Sequence, residues 1–213
     1  MDDGTSFELT LERIALIRRM VIAWNGAGVG APIIHPDAPY GSTDRDEDIA
    51  NVTGDDDAAD EEHRALGDAL AVFVDNATLK PGRYAYHNTL AKLPPGNVFD
   101  VFRDDETGLT PEHITFEVTP EHLTLLANLR LAWDDEQDVP GVDPDHPYGE
   151  GTSYVADMAT RLGTLPAANA DGVEPRLRKL HREMQPALQI FLRYADLGPG
   201  DFGAGMTGRW EPA

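Results

Sequence analysis

The chain has no cysteine, and lysine and serine occur only three times each among its 213 residues. Without thiols it can form no disulfide and can use no cysteine-based chemistry. No stretch approaches the roughly 18 uninterrupted apolar residues that a membrane helix needs. The start of the chain, Met1-Asp2-Asp3-Gly4, lacks the apolar segment of a signal peptide. We therefore expect a cytoplasmic location and no membrane partner.

Basic residues are scarce: 17 lysines and arginines stand against 38 acidic residues, for a formal net charge of -21. A surface of this kind repels nucleic acid, so we expect no nucleic-acid partner. Two interpretations of the acidity compete. It can attract a basic protein partner and speed its association, or it can be only a solubility or salt adaptation.

One hexapeptide occurs twice, as Pro36-Asp37-Ala38-Pro39-Tyr40-Gly41 and as Pro144-Asp145-His146-Pro147-Tyr148-Gly149. Similar segments precede and follow both copies in the same order. The pattern predicts two pseudo-symmetric units, residues 1–105 and residues 106–213, packed as one globular body. Two prolines three residues apart cannot continue a helix. We therefore expect a rigid turn, with the tyrosine packed inward and the glycine free to adopt a positive φ.

Helical signals dominate both units. Thr10 and Thr119 are suitable N-caps, and apolar residues then recur at helical spacing as far as Trp24 and Trp133, which predicts helices over 11–24 and 120–133. Shorter helices should end before Gly54 and Gly163. A third helix should begin near residue 63, and its longer counterpart in the second unit has an apolar stripe from Leu177 to Ala195. Residues 98–102 and 114–118 have strand character, as a small hairpin with its turn at 104–108. The tail from Met206 to Trp210 is expected to be either a strand or an arm that covers the other unit. The predicted fold class is mainly α with minor β, in two tandem helical repeats.

Candidate site residues cluster near the two hexapeptides. Histidine and carboxylates come together there as candidate metal ligands: His35, Asp37, Asp143, Asp145 and His146. A metal site needs three or four convergent ligands, and the histidine changes sides between the two copies, so we expect no metal or other cofactor. Candidate binding residues are the paired histidines and tyrosines: His63, His181, Tyr40 and Tyr148. No nucleophile motif surrounds any of the three serines, and we assign no catalytic residue.

A family resemblance is carried by turn and core residues of the second unit, namely Thr119, Glu121-His122-Leu123, Trp133, Asp143-Pro144, Pro147-Tyr148-Gly149, Asp157, Gly163, His181 and Ala187-Leu188. On these residues the chain resembles a group of small bacterial proteins that carry one copy of the pattern and have no known activity. The first unit matches more loosely, with Arg13 in place of the histidine and His35 in place of the leading aspartate. The resemblance implies no activity, cofactor or partner.

Three functional hypotheses follow. The leading one is a non-enzymatic protein-binding module, such as an inhibitor or immunity factor for a basic partner, acting as a monomer or weak homodimer. The alternative is a metal-dependent hydrolase that uses His63, His181 and the loop carboxylates. The third is that the acidity serves only solubility or salt tolerance and indicates no partner.

Overall fold

The structure is a computed structural model that describes residues 6–25, 30–55, 59–85, 115–149, 153–163, 173–205 and 209–213. Within these ranges it has six helices and nine strands, the strands in three antiparallel sheets. The fold is mixed α and β, so the prediction of a mainly α protein is wrong. None of the helices in these ranges is long and apolar enough to cross a membrane.

The same order of elements occurs in residues 6–85 (the first half) and in residues 115–213 (the second half). The first half contains β1 (Ser6–Leu9), α1 (Leu11–Arg19), β2 (Ile22–Asn25), β3 (Ala31–Ile34), α2 (Arg45–Thr53), α3 (Ala59–Asn76) and β4 (Gly82–Ala85). The second half contains β5 (Thr115–Val118), α4 (Pro120–Leu126), β6 (Leu131–Asp134), β7 (Val139–Val142), α5 (Tyr154–Arg161), α6 (Val173–Tyr194), β8 (Gly200–Ala204) and β9 (Trp210–Pro212).

The two tryptophans lie on strands and not at the ends of long helices. The helix predicted over 11–24 ends at Arg19, and Trp24 lies on β2, opposite Pro32 of β3. The helix predicted over 120–133 ends at Leu126, and Trp133 lies on β6. Short apolar runs satisfy helical and strand spacing equally well, and here cross-strand pairing decides between them.

The central sheet has the strand order β2-β3-β7-β6, so each half contributes one hairpin. The hairpins meet where Ile33 of β3 faces Gly141 of β7. A Cβ atom at position 141 would lie 3.0 Å from Cγ2 of Ile33, so any larger residue here would require Ile33 to shift. Strands β2 and β6 are the two edges of the sheet.

The two halves also exchange their outer strands. Strand β1 pairs with β8, and β4 pairs with β5, so the first strand of each half lies beside the last long strand of the other. Strand β9 extends the β1–β8 sheet. The predicted partner of β5, residues 98–102, and the turn at 104–108 lie outside the described residues, as does the predicted unit boundary at residue 105.

One hydrophobic cluster includes buried residues of both halves. The long helices α3 and α6 meet in it, where Phe73 and Phe191 pack edge to face at 6.0 Å between ring centroids. The predicted caps are confirmed: Thr10 and Thr119 each accept a hydrogen bond from an N–H of the first helical turn, and Gly54 has φ 76° after α2. Shared sheets and a shared core therefore hold the hairpins of one half against the helices of the other.

Candidate functional site

A buried histidine–tyrosine pair joins the first hexapeptide to α3. The Tyr40 hydroxyl lies 2.6 Å from Nδ1 of His63, and Nε2 of His63 lies 2.8 Å from the carbonyl oxygen of Asp138 in the other half. Both side chains are buried, and the indole ring of Trp133 packs on the imidazole with 5.6 Å between centroids. The pair therefore links the first half to the β6–β7 turn of the second.

An equivalent pair occurs in the second half. The Tyr148 hydroxyl lies 2.7 Å from Nδ1 of His181, whose Nε2 lies 2.9 Å from the carbonyl oxygen of Gly30. Trp24 packs on this imidazole at 5.2 Å and Tyr154 at 4.5 Å between ring centroids. As the hexapeptide prediction requires, both tyrosines are buried and both following glycines have positive φ.

The hydrogen-bond partners decide the protonation state of both histidines. A carbonyl oxygen only accepts, so Nε2 carries the proton, and Nδ1 accepts from the tyrosine hydroxyl. Burial lowers the pKa of His63 and of His181, and burial raises the pKa of Tyr40 and of Tyr148. All four groups are therefore neutral at pH 7, with both nitrogens of each imidazole engaged inside the protein. This arrangement suits a structural latch between the halves.

Two of the candidate metal ligands near the hexapeptides, His35 and Asp143, stabilise the turns through their side chains. Nδ1 of His35 accepts hydrogen bonds from the backbone N–H groups of Asp37 and Ala38, both at 3.2 Å. In the second copy Oδ1 of Asp143 accepts from the N–H groups of Asp145 and His146, at 2.9 and 3.0 Å. His35 and Asp143 thus perform one task with different side chains at matching positions before the two hexapeptides. Among the described residues, no three histidine or carboxylate side chains are grouped as metal ligands would be.

A third buried histidine, which the sequence did not single out as a site, caps α4. Nδ1 of His122 accepts from the N–H of Thr119, and its Nε2 lies 3.6 Å from a carboxylate oxygen of Glu183. Burial lowers the pKa of His122, and the nearby Glu183 carboxylate opposes that shift. At the same position in the first half, Arg13 pairs with both carboxylate oxygens of Glu62. Both versions tie a helix start to the following long helix.

A cavity of about 560 Å³ lies between α3 and the edge strand β6. We call it the α3–β6 groove. Helix α3 contributes Arg64, Gly67, Asp68 and Ala71, and the β6–β7 hairpin contributes Leu131, Ala132, Trp133, Asp135, Asp138 and Pro140. Most of these side chains are at least partly exposed, so the groove is open to solvent.

The charge of the groove is predominantly negative. Three carboxylates line it, against the single guanidinium of Arg64. Asp138 is already paired with Arg45, at 3.3 Å. Within the part of the chain that the structure describes, Asp68 and Asp135 have no ion-pair partner. Trp133 offers an aromatic surface beside them, an arrangement that suits a cation.

The sequence prediction placed no groove residue among the candidate sites. The sequence nevertheless contains an indication of the groove. When the segments that begin at His63 and His181 are aligned, the two copies differ at some positions, two of which are Gly67 and Ala71 in the first copy. Glutamines occupy these positions in the second copy. Two small residues in place of two long ones, on helices that otherwise match, indicate that the first copy leaves space beside α3.

No protein-family model, curated protein or solved structure matches the chain. The resemblance to small bacterial proteins stays a prediction. The function must therefore be inferred from the geometry and charge of the described residues.

Proposed function

We propose that the protein is a non-enzymatic binding module that takes a cationic side chain of a basic partner protein into the α3–β6 groove. The observation that carries the proposal is the combination of an open groove, two carboxylates without an ion-pair partner among the described residues, and the partly exposed ring of Trp133. A guanidinium or ammonium group placed there could pair with Asp68 and Asp135 and lie against the indole ring. The overall charge of -21 would steer such a partner toward the protein.

The state of the histidines also favours a binding role over the hydrolase alternative. A general base must reach the proton that it removes, whereas both ring nitrogens of His63 and of His181 are engaged by neighbouring groups. The proposal also keeps the cytoplasmic location that the sequence predicts.

The test is a titration with a short, capped peptide that contains two arginines, followed by tryptophan fluorescence. We compare the wild type with the double variant Asp68→Asn, Asp135→Asn. Exposed ion pairs contribute roughly 0.2–1 kcal/mol each, so losing two should weaken binding by about two- to thirty-fold. The matched control is Glu47→Gln with Asp201→Asn, which removes the same charge from surfaces outside the groove.

Three outcomes distinguish the hypotheses. Weaker binding by the groove variant, with the control close to wild type, supports the proposal. Equal loss in both variants would mean that bulk charge alone attracts the peptide. Absence of any binding by the wild type, at low salt, would contradict the proposed function.

A further inference from the structure

In the second half, two glutamines fill the gap between α6 and the edge strand β2. Oε1 of Gln189 accepts from the N–H of Ile22, and its Nε2 donates to the carbonyl oxygen of Met20, both at 2.8 Å. Nε2 of Gln185 donates to the carbonyl oxygen of Ile22, at 3.0 Å. Strand β2 is an edge strand, so no further strand in the described part of the chain pairs with the backbone groups on its outer side. The two carboxamides form hydrogen bonds with these groups in place of a strand.

Leu131 of β6 occupies the place that Ile22 has in β2. The residues before them, Val21 and Arg130, make matching backbone hydrogen bonds. The N–H of Val21 donates to the carbonyl of Pro39, and the N–H of Arg130 donates to the carbonyl of Pro147. The carbonyls of Val21 and Arg130 accept from the N–H groups of His35 and Asp143, respectively. Backbone groups alternate in direction along an edge strand. The N–H and carbonyl of Leu131 therefore point away from β7 and toward α3, as those of Ile22 point toward α6.

Helix α3 has no glutamine at the positions that match Gln185 and Gln189. Gly67 stands where α6 has Gln185, and Ala71 stands where α6 has Gln189. Among the described residues, no side chain bonds to the backbone of Leu131. Gly67, Ala71 and Leu131 all line the α3–β6 groove, and a smaller cavity of about 140 Å³ continues it past Ala71 to Leu129, the counterpart of Met20. The groove is thus the gap that glutamines fill in the other half.

We infer that the α3–β6 groove binds the primary carboxamide of a glutamine or asparagine side chain of the partner. This inference rests on the proposed function. It adds that the partner has a glutamine or asparagine close to its cationic residue. A carboxamide both donates and accepts, as the edge of β6 requires and as Gln189 does at β2. The carboxamide oxygen accepts from the N–H of Leu131, and its NH₂ group donates to the carbonyl of Leu129 or Leu131.

Two other occupants fit the groove less well. A carboxylate cannot donate to the backbone carbonyls, and it would face the carboxylates of Asp68 and Asp135. A whole β-strand would need about 4.8 Å between its axis and β6. At one end of the groove α3 already packs against a side chain of β6, since a Cβ atom at Gly67 would lie 3.2 Å from the ring of Trp133.

The first experiment compares two capped peptides that end in an N-methylamide, so that the only primary carboxamide is a side chain. One has the sequence Arg-Gln-Arg, and the other has methionine, of similar length, in the centre. We expect the glutamine peptide to bind about tenfold more tightly, as two additional hydrogen bonds would give. If both peptides bind equally, this inference fails and the proposed function stands. If neither binds, both fail.

The second experiment needs no partner and places the amide within the chain. In Ala71→Gln the new side chain can reach Leu131 as Gln189 reaches Ile22, while Ala71→Met fills the same space without hydrogen bonds. We expect amide hydrogen exchange at Leu131 to slow at least tenfold in the glutamine variant relative to the methionine variant. The glutamine variant should also lose the preference for the glutamine peptide. Equal exchange rates in the two variants would overturn the inference.

Discussion

Replacing Gln189 by leucine should be among the most destabilising single substitutions in α6. The side chain is 3 % exposed, and its carboxamide holds the N–H of Ile22 and the carbonyl of Met20. Leucine has a similar size but leaves both backbone groups without a partner in a site that water barely reaches. An unsatisfied buried group costs about 1–3 kcal/mol, so the expected loss is about 2–6 kcal/mol. A domain of ordinary stability has only about 5–15 kcal/mol to lose.

The assay is urea unfolding followed by circular dichroism at pH 7.5. With a slope of about 1–3 kcal/mol per molar urea, the midpoint should fall by at least about 0.7 M. Gln185→Leu is the matched control: Gln185 is only partly buried and makes one bond to this edge, so its loss should cost about 0.5–1.5 kcal/mol. A Gln189→Leu protein as stable as the control would refute the reasoning and remove the precedent on which the carboxamide inference depends.

Two further predictions concern the latch between the halves. Burial lowers the pKa of His63 and of His181 in the folded protein. The stability that they contribute is therefore complete above the unfolded pKa of about 6.5 and is lost as the pH falls through the lower folded pKa values. Urea midpoints should fall between about pH 7.5 and about pH 5.5, and a constant midpoint would contradict the assignment of neutral histidines. Gly30→Ala should destabilise the protein by more than about 1 kcal/mol, because φ there is 74° and a Cβ atom would lie 2.3 Å from Nε1 of Trp24. The matching substitution in the other half, Asp138→Gly, removes a side chain from a residue with φ 52° and should lower the thermal unfolding temperature far less. Equal losses in the two variants would show that backbone strain at this turn is unimportant.

Part of the fold could be predicted from local sequence. Threonine caps, the glycine after α2 and the proline-bounded turn are set by interactions within a few residues, and the structure has them where the sequence places them. The class of the fold could not be predicted in this way. Residues 22–25 and 131–134 are too short to show a strand period, and only their pairing with β3 and β7 makes them strands.

The candidate site was predictable only in outline. The sequence identified His63, His181 and the two tyrosines as paired positions, and the structure brings each histidine to its tyrosine. Their third partners, the backbone carbonyls of Gly30 and Asp138, belong to the opposite halves and have no sequence signature. Unless the positions of those carbonyls are known, a histidine with both ring nitrogens hydrogen-bonded cannot be distinguished from one that is available to bind a ligand.

Residue type and near neighbours are enough to predict the starts of α1 and α4, the two rigid turns and the strongly acidic character of the chain. The tertiary structure decided where the halves exchange strands, and it decided the consequence of the two glutamines of α6 and the two small residues of α3. Whether a missing side chain leaves a void, a packed contact or an open groove depends on what lies opposite. Opposite α3 lies the outer edge of β6, where no described side chain bonds to the backbone of Leu131. This strand is more than fifty residues away along the chain.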